Sequence, residues 1–257
     1  MANVQTKKAT EVATINLLED AGLGLEDMGR DDLMIPRLNI LQQMSKQVQK
    51  RENTYIKGAE PGMIFDNVAK AVHDGEIGIR VVPISYRRAH IEWRKDMGGL
   101  VADHGSDESC LSSCTRGDKG EYITGDGNEI IPTGEYFVFL ITEDGYTPAM
   151  ISMGKSQLKK AKQWNTMMNR LMIDVSGRKV NPAIFWTSYT LKTIPEQSDA
   201  GSWFGWSVEC DFDAKSGGII KNLPNGEEIY LAARDFKAQL KAGNVQVSPE
   251  AQDDDVM

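Results

Sequence analysis

The sequence predicts a mainly β protein with helical additions, an α+β chain whose strands form an antiparallel barrel or sandwich. Apolar runs of strand length recur along the chain and are rich in β-branched and aromatic residues. Only two stretches have the three- and four-residue spacing of apolar residues that is typical of a helix. Because the order is strands, one helix, strands and a second helix, we expect the helices to pack at the edges of the sheet.

The strands are predicted from apolar alternation and from the turn residues that separate the runs. The predicted strand segments are Met34–Leu41, two short strands about a turn in Tyr55–Phe65, Ile77–Lys95, Ile130–Ile141, Thr147–Met153, Ala183–Leu191 and Trp203–Phe212. The dipeptide Asp126-Gly127 is typical of a hairpin, and another turn is expected over Pro195–Gly201. Alternation in the last strand puts on one face Phe204, Trp206, Val208, Cys210 and Phe212.

Two helices are predicted. In Ser156–Ile173 the apolar residues recur at helical spacing, and Ser156 is a candidate N-terminal cap. The second helix covers Glu227–Lys241 and is followed by Gly243, in the position that a C-terminal cap favours. Each has one apolar side, so we expect each to pack against the sheet.

The net charge of −8 is concentrated at the two ends of the chain. Residues 1–35 carry seven acidic and three basic residues, residues 245–257 carry four acidic residues and no basic one, and residues 36–244 are neutral overall. We therefore predict a flexible acidic arm over 1–32, a single β-rich domain with both helices over 33–244, and a disordered acidic tail over 245–257.

The segment Ile77–Lys95 changes character along its length. Its first half is apolar and β-branched, as in a buried strand, and its second half alternates between a cationic and an apolar face. The cationic face holds Tyr86, Arg88, His90 and Arg94, and the apolar face holds Ala89, Ile91 and Trp93. A strand that begins in a core and ends as a cationic, aromatic surface predicts a polyanionic ligand.

A second cationic stretch lies around the first predicted helix, where lysines recur. The predicted nucleic-acid-binding residues are Tyr86, Arg87, Arg88, His90, Trp93, Arg94, Lys95, Lys155, Lys159, Lys160, Lys162 and Arg178. The alternative is that Trp93 belongs to the core, that the arginines form a solvated strand edge, and that the lysines cover the exposed face of an amphipathic helix.

Several classes of protein are disfavoured by the sequence. No apolar run approaches the length of a bilayer span and the N-terminus has no apolar signal segment, so we expect a soluble, cytoplasmic protein with no membrane partner. Three cysteines do not form a disulfide framework. No phosphate-binding glycine loop, nucleophile elbow or metalloprotease motif is present, so we expect neither an enzyme nor a cofactor.

Two metal sites are weaker hypotheses. His104, Cys110 and Cys114 lie within one polar loop and could bind zinc, although free loop thiols are the simpler interpretation. Carboxylates on one face of a strand could bind magnesium in a nuclease, although they also fit the solvated face of an edge strand. These carboxylates are Glu209, Asp211 and Asp213.

The end of the chain, Asp253-Asp254-Asp255-Val256-Met257, resembles the acidic C-terminal tail of single-stranded DNA-binding proteins. The body resembles phage replication proteins of that class, in its IPRL run at Ile35–Leu38 and its IEWR run at Ile91–Arg94. The resemblance implies an OB-like barrel that binds single-stranded DNA during phage replication or recombination in the host cytoplasm. It also implies that the tail, Asp253, Asp254, Asp255, Val256 and Met257, competes for the DNA groove and recruits replication or recombination proteins.

A structural or assembly protein of a virion is the main alternative. In that case the β-rich core would contact further copies of the chain in a homo-oligomer, and the acidic ends would only increase solubility. The methionines Met167, Met168 and Met172 suit a protein interface as well as a core.

Overall fold

The computed structural model describes residues 34–95, 99–199 and 201–242, all within one compact unit that begins at Met34. The predicted arm over 1–32, the predicted tail over 245–257 and the predicted cap Gly243 lie outside the described residues. None of the helices in these ranges is both long enough and apolar enough to cross a membrane.

The described residues form short and long strands, three α-helices and several single turns of 3₁₀ helix. The strands are β1 (Leu38–Ile40), β2 (Ile64–Asp66), β3 (Ala71–His73), β4 (Ile79–Trp93), β5 (Leu100–Asp103), β6 (Thr115–Arg116), β7 (Tyr122–Ile123), β8 (Glu129–Thr142), β9 (Gly145–Gly154), β10 (Ile173–Val175), β11 (Arg178–Val180), β12 (Tyr189–Ser198) and β13 (Gly201–Cys210). The α-helices are α1 (Leu158–Arg170), α2 (Gly218–Asn222) and α3 (Gly226–Lys241). The 3₁₀ turns are Lys46–Val48, Glu108–Leu111, Lys155–Gln157 and Ile184–Trp186.

One antiparallel sheet of eight strands dominates the fold. Its order is β13-β12-β4-β8-β7-β6, with β5 paired to β4 and β9 paired to β8. The sheet curls into the shape of half a barrel. A small sheet of β1, β2 and β3 and a separate ribbon of β10 and β11 complete the strands. The predicted class, mainly β with helical additions on an antiparallel, OB-like sheet, is confirmed.

A β-bulge in β4 decides which side chains face which side of the sheet. β4 pairs with β8 from Arg80↔Ile141 to Trp93↔Glu129, and the register shifts between Pro83 and Ser85. Proline cannot donate a ladder hydrogen bond, and a bulge in a central strand accommodates it. After the bulge Tyr86, Arg88 and His90 share one face, as the alternation predicts.

Both faces of the sheet are covered by helices. On one face Trp164 of α1 is fully buried and stacks on Tyr136 with ring centroids 4.1 Å apart, and the Tyr136 hydroxyl donates to the carbonyl of Ala161 at 2.9 Å. On the other face Phe236 of α3 packs against Phe139, with centroids 5.7 Å apart. The two predicted helices therefore lie on opposite faces and bury the sheet between them.

The observed boundaries of the elements agree best with the predicted ones where the apolar pattern in the sequence is longest. Helix α3 matches its prediction to within one residue, and α1 is shorter than predicted because Lys155–Gln157 forms a 3₁₀ turn. Ser156 does not cap α1, since it lies inside that turn and Gln157 occupies the cap position. The hairpin at Asp126-Gly127 is confirmed, because Gly127 adopts φ 84° and donates to the carbonyl of Thr124 between β7 and β8. Helix α2 was not predicted.

The region after Ala183 differs from the prediction. Ile184–Trp186 is a 3₁₀ turn that buries Phe185 and Trp186, and the strand starts only at Tyr189. β12 continues through Pro195, where a turn had been predicted. Thr193 directs its N–H away from β13, to the carbonyl of Gly75, so the nitrogen of Pro195 also points away from β13 and the proline costs no hydrogen bond to that strand.

The apolar face that the alternation predicts for β13 is only partly buried. Of its predicted apolar face only Trp206 is buried, and Cys210 is exposed. The reason is position: β13 is an edge strand, and α1 covers only its middle.

Replacing Trp164 with alanine should remove the stacking on Tyr136 and leave a cavity between α1 and the sheet. We expect the Trp164→Ala variant to lose about 3–5 kcal/mol of unfolding free energy in a urea titration. Asn169→Ala, at an exposed position of the same helix, is the control and should change stability by less than about 0.5 kcal/mol. A loss below about 1 kcal/mol for Trp164→Ala would show that α1 is not packed as described.

Candidate functional site

Arg87, in the predicted cationic strand, is paired inside the protein. Its Nε donates to Glu135 Oε2 at 2.6 Å, and its Nη2 lies 2.6 Å from Asp103 Oδ2. Glu135 is fully buried in the middle of β8. Burial alone would lower the pKa of Arg87, but the carboxylates of Glu135 and Asp103 raise it. The charge of Arg87 is therefore neutralised by acids of the same chain.

A second arginine completes this network. Arg37 lies beside β9 in a parallel bridge with Met150, and its Nη1 reaches Glu135 Oε1 at 3.5 Å and Ser152 Oγ at 2.8 Å. Burial lowers the pKa of the Arg37 guanidinium, and the charge of Glu135 opposes that shift. We call Arg37, Arg87, Asp103 and Glu135 the Glu135 network. It joins β4, β5, β8 and the segment before β1 with balanced charge.

The predicted aromatic surface of β4 lies mostly inside the protein, which corrects the prediction that His90 and Trp93 form a stacking surface. His90 is fully buried, with Nδ1 3.1 Å from the carbonyl of Gly105, and Trp93 is buried beside Ala89 and Ile91. Tyr86 is half-buried against Tyr136. The cause is the chain after β4, because β5 pairs with β4 and His90 exchanges backbone hydrogen bonds with His104 and Gly105.

Three predicted cations of this segment remain at the surface. Arg94 and Lys95, at the end of β4, are exposed. Arg88 is half-exposed and lies 4.0 Å from the exposed carboxylate of Glu108. The segment Tyr86–Lys95 therefore presents cations at its end but no continuous cationic and aromatic face.

The predicted lysines of α1 line a cleft against the edge strand β13. The cleft has a volume of about 540 Å³. It is lined by Lys159, Lys160, Lys162, Gln163, Thr166, Met167, Ser207 and Val208. The helical residues at positions 159, 162, 163 and 166 lie along one side of α1, because they are three and four residues apart. We call this feature the lysine cleft.

Lys160 is held in place by a half-buried carboxylate. Its Nζ lies 3.0 Å from Glu196 Oε1, while Glu196 Oε2 accepts from Trp203 Nε1 at 2.8 Å and from Gln157 Nε2 at 3.0 Å. Burial alone would raise the pKa of Glu196, but these hydrogen bonds and the charge of Lys160 lower it below its ordinary value. Glu196 therefore stays ionised at neutral pH and fixes one wall of the cleft.

Lys159 and Lys162 are exposed, and none of the side chains that line the cleft is acidic. The lining instead supplies ammonium groups, the Gln163 amide and the Ser207 hydroxyl as hydrogen-bond donors, while the Thr166 hydroxyl donates to the carbonyl of Lys162 at 2.8 Å. Glu209, the acidic residue that follows Val208, is not among the lining residues, and its carboxylate lies 3.7 Å from the ammonium group of Lys192. Such a lining can bind an anion with several acceptor oxygens, such as a phosphate.

Two predicted cations lie outside the cleft. The Lys155 Nζ is 3.2 Å from Glu129 Oε2 on β8, and Arg178 is exposed on the ribbon of β10 and β11. Lys155 and Arg178 are therefore not brought together with the lysines of α1 by the cleft.

The described residues contain no group of three His, Cys, Asp or Glu side chains that is placed to hold a metal ion. Neither of the two predicted metal sites is therefore assembled among them. His104 Nε2 is 2.8 Å from Glu92, and the thiols of Cys110 and Cys114 donate to the carbonyls of Asp107 and Cys110. Burial raises the pKa of both thiols, as do nearby carboxylates.

The carboxylates of the nuclease hypothesis have separate partners. Asp211 accepts from the hydroxyls of Ser188 and Thr190 and lies 3.1 Å from Arg80 Nε. Asp213 accepts from the N–H of Lys215 in a turn. Glu209, Asp211 and Asp213 thus have separate partners within the chain.

The fold and the cleft define a curled β-sheet protein whose helix and edge strand enclose a cationic groove. The chain belongs to the Pam3 phage gp34-like protein family, whose family model matches residues 5–246. It is therefore a phage-family protein, as the resemblance of the body implied. Searches of curated proteins and of solved structures find no match.

Two parts of this region were missed in the sequence. Glu135 stands alone as a charge in the apolar run IIPTGEYFVFLI, which is a signal for a buried and paired carboxylate. No pattern in the sequence predicts that Ser207 and Val208 line the cleft. Their place in it depends on how α1 packs against the edge strand β13.

Replacing Glu135 with glutamine should leave the buried guanidinium of Arg37 without its counter-charge. Because breaking a buried ion pair strands the remaining charge, we expect Glu135→Gln to cost about 3–5 kcal/mol of unfolding free energy. The matched control is Glu108→Gln, whose carboxylate is 70% exposed, with an expected change below about 0.5 kcal/mol. Equal stability of the two variants would refute the structural role of the Glu135 network.

Proposed function

We propose that the protein binds single-stranded DNA in the lysine cleft during phage replication or recombination, without a chemical step. The observation that carries this proposal is the lining of the cleft: Lys159, Lys160 and Lys162 together with amide and hydroxyl donors, and no acidic lining side chain. Phosphate contacts from lysine supply most of the affinity of sequence-independent DNA binding.

The cleft is suited to a chain that passes through it. It is open to solvent, and its cations are spaced along one side of α1. A backbone of repeated phosphates can contact Lys159 and Lys162 in succession, while Lys160, held by Glu196, offers a third positive charge.

A single strand fits the lining better than a duplex. Met167 and Val208 add apolar surface next to the lysines, and the faces of bases are free for such contacts only where the strands are not paired. Aromatic side chains are not among the residues that line the cleft, so apolar contact replaces the aromatic stacking that the sequence predicted.

The acidic tail is proposed to regulate this site. Asp253, Asp254 and Asp255 carry negative charges that would compete with phosphates for the lysine cleft. Once DNA displaces the tail, Val256 and Met257 would be free to recruit replication or recombination proteins.

A second candidate function is a structural or assembly role in the virion. The observation in its favour is the ribbon of β10 and β11, which exposes Val175 and Val180 next to the exposed Met172. Two-stranded ribbons are marginally stable alone, and a second copy covering this ribbon would stabilise it. A protein of this kind would give no gel shift with a single-stranded oligonucleotide.

The double substitution Lys159→Gln and Lys162→Gln should weaken binding to a single-stranded oligonucleotide. If both lysines contact phosphates, the slope of log K against log salt should fall in magnitude by about 1.4, from roughly 0.7 per contact. The measurement is a fluorescence anisotropy titration at several salt concentrations.

The control for that experiment is Lys50→Gln with Lys57→Gln, which makes the same change in net charge at exposed positions outside the cleft. Its slope should equal that of the wild type. Equal slopes for both double variants would exclude the lysine cleft as the DNA site.

Deleting Asp253–Met257 should tighten binding at low salt, because the competing carboxylates are removed. The effect should vanish at high salt, where both interactions are screened. A full-length variant removes the charge of the tail but keeps its length, with Asp253, Asp254 and Asp255 changed to asparagine. It should behave like the deletion. An affinity unchanged at low salt in both variants would reject the competition.

A further inference from the structure

The outer edge of β13 is covered along only part of its length. In an antiparallel pair, alternate residues direct their N–H and C=O toward the partner strand or away from it. Phe204 directs both groups away from β12, where the Gln42 amide binds them at 2.9 Å each. The N–H of Trp206 also points outward and donates to Gln157 Oε1 at 2.8 Å. Two glutamine side chains thus replace a neighbouring strand.

Val208 is the next residue of this outward series. It pairs in register with Leu191 of β12, and Leu191 pairs on its other side with Ile79 of β4. By the alternation set by Phe204 and Trp206, the N–H and C=O of Val208 point away from β12. Val208 lines the lysine cleft, and neither peptide group has a partner among the described residues. The cleft therefore contains an open donor and an open acceptor beside three ammonium groups.

We infer that the main-chain N–H and C=O of Val208 hydrogen-bond to the edge of a nucleobase whose neighbouring phosphates lie on Lys159 and Lys162. This inference rests on the proposed function and adds a contact to the bases of the DNA to the contacts with its phosphates. Phosphate oxygens only accept hydrogen bonds, so a phosphate would leave the carbonyl of Val208 unpaired. A base edge offers a donor and an acceptor side by side and satisfies both groups.

An extended peptide added to β13 would also pair with an open strand edge. Strand addition gains its affinity from successive main-chain hydrogen bonds, whereas Gln42 already occupies both outward groups of Phe204 and Gln157 occupies the outward N–H of Trp206. Because these contacts shorten the edge that a strand could use, the open groups of Val208 beside the lysines fit a nucleotide better than a strand.

The test compares two single-stranded probes of equal length and charge, an oligothymidylate and an abasic oligonucleotide. The wild type should bind oligothymidylate at least about fivefold more tightly, the size of one net hydrogen bond. Val208→Pro removes the N–H and should reduce this preference about fivefold, the size of the hydrogen bond that is lost, while Val208→Ala keeps the N–H and should retain most of the preference. Proline is tolerated at an outward position of an edge strand.

A measurement on the wild-type protein tests the same contact even if the Val208→Pro variant does not fold. The Val208 amide should be protected from hydrogen exchange with oligothymidylate bound but not with the abasic probe. Equal affinity for the two probes, preference retained by Val208→Pro, or an amide equally protected by both would overturn the inference while leaving DNA binding intact. Binding of neither probe would overturn the proposed function as well.

Discussion

The fold depends on the burial of Glu135 between two arginines. A fully buried carboxylate is tolerated only with compensating charges and hydrogen bonds, and these come from Arg37, Arg87 and Ser152. The partners lie on different parts of the chain, so the sheet, β5 and the segment before β1 must come together for the charge to be satisfied. The β-bulge at Pro83 belongs to the same arrangement, because it sets the side of the sheet on which Arg87 lies.

Because Glu135 must be paired, some of the predicted cations serve the fold and are not available to a ligand. Arg87 is neutralised within the Glu135 network, and His90 lies under the chain that follows β4. The lysines of α1 are different: the helix is anchored by Trp164 on its buried side, and its opposite side is left for charge. Lys159 and Lys162 therefore remain exposed beside an edge strand whose peptide groups are only partly covered.

Local patterns predicted the parts of the fold that depend on nearest neighbours in sequence. The alternation of Ile77–Lys95, the period of Glu227–Lys241 and the turn at Asp126-Gly127 all correspond to observed elements. Exposure was less predictable, since Trp93 and His90 are buried by residues that follow them along the chain. For the candidate site, the sequence identified Lys159, Lys160 and Lys162 but not Val208, whose position depends on how α1 packs against β13. The outward direction of its peptide group follows from strand register, which no local pattern in β13 reveals.

DNA bound in the lysine cleft would lie against α1 and β13 and not along the end of β4. Hydrogen–deuterium exchange of the full chain, with and without a saturating single-stranded oligonucleotide, tests this directly. Binding in the lysine cleft should give new protection in peptides that cover Leu158–Arg170 and Gly201–Cys210, with little change over Tyr86–Lys95. Protection confined to Tyr86–Lys95, or none at any peptide, would contradict it.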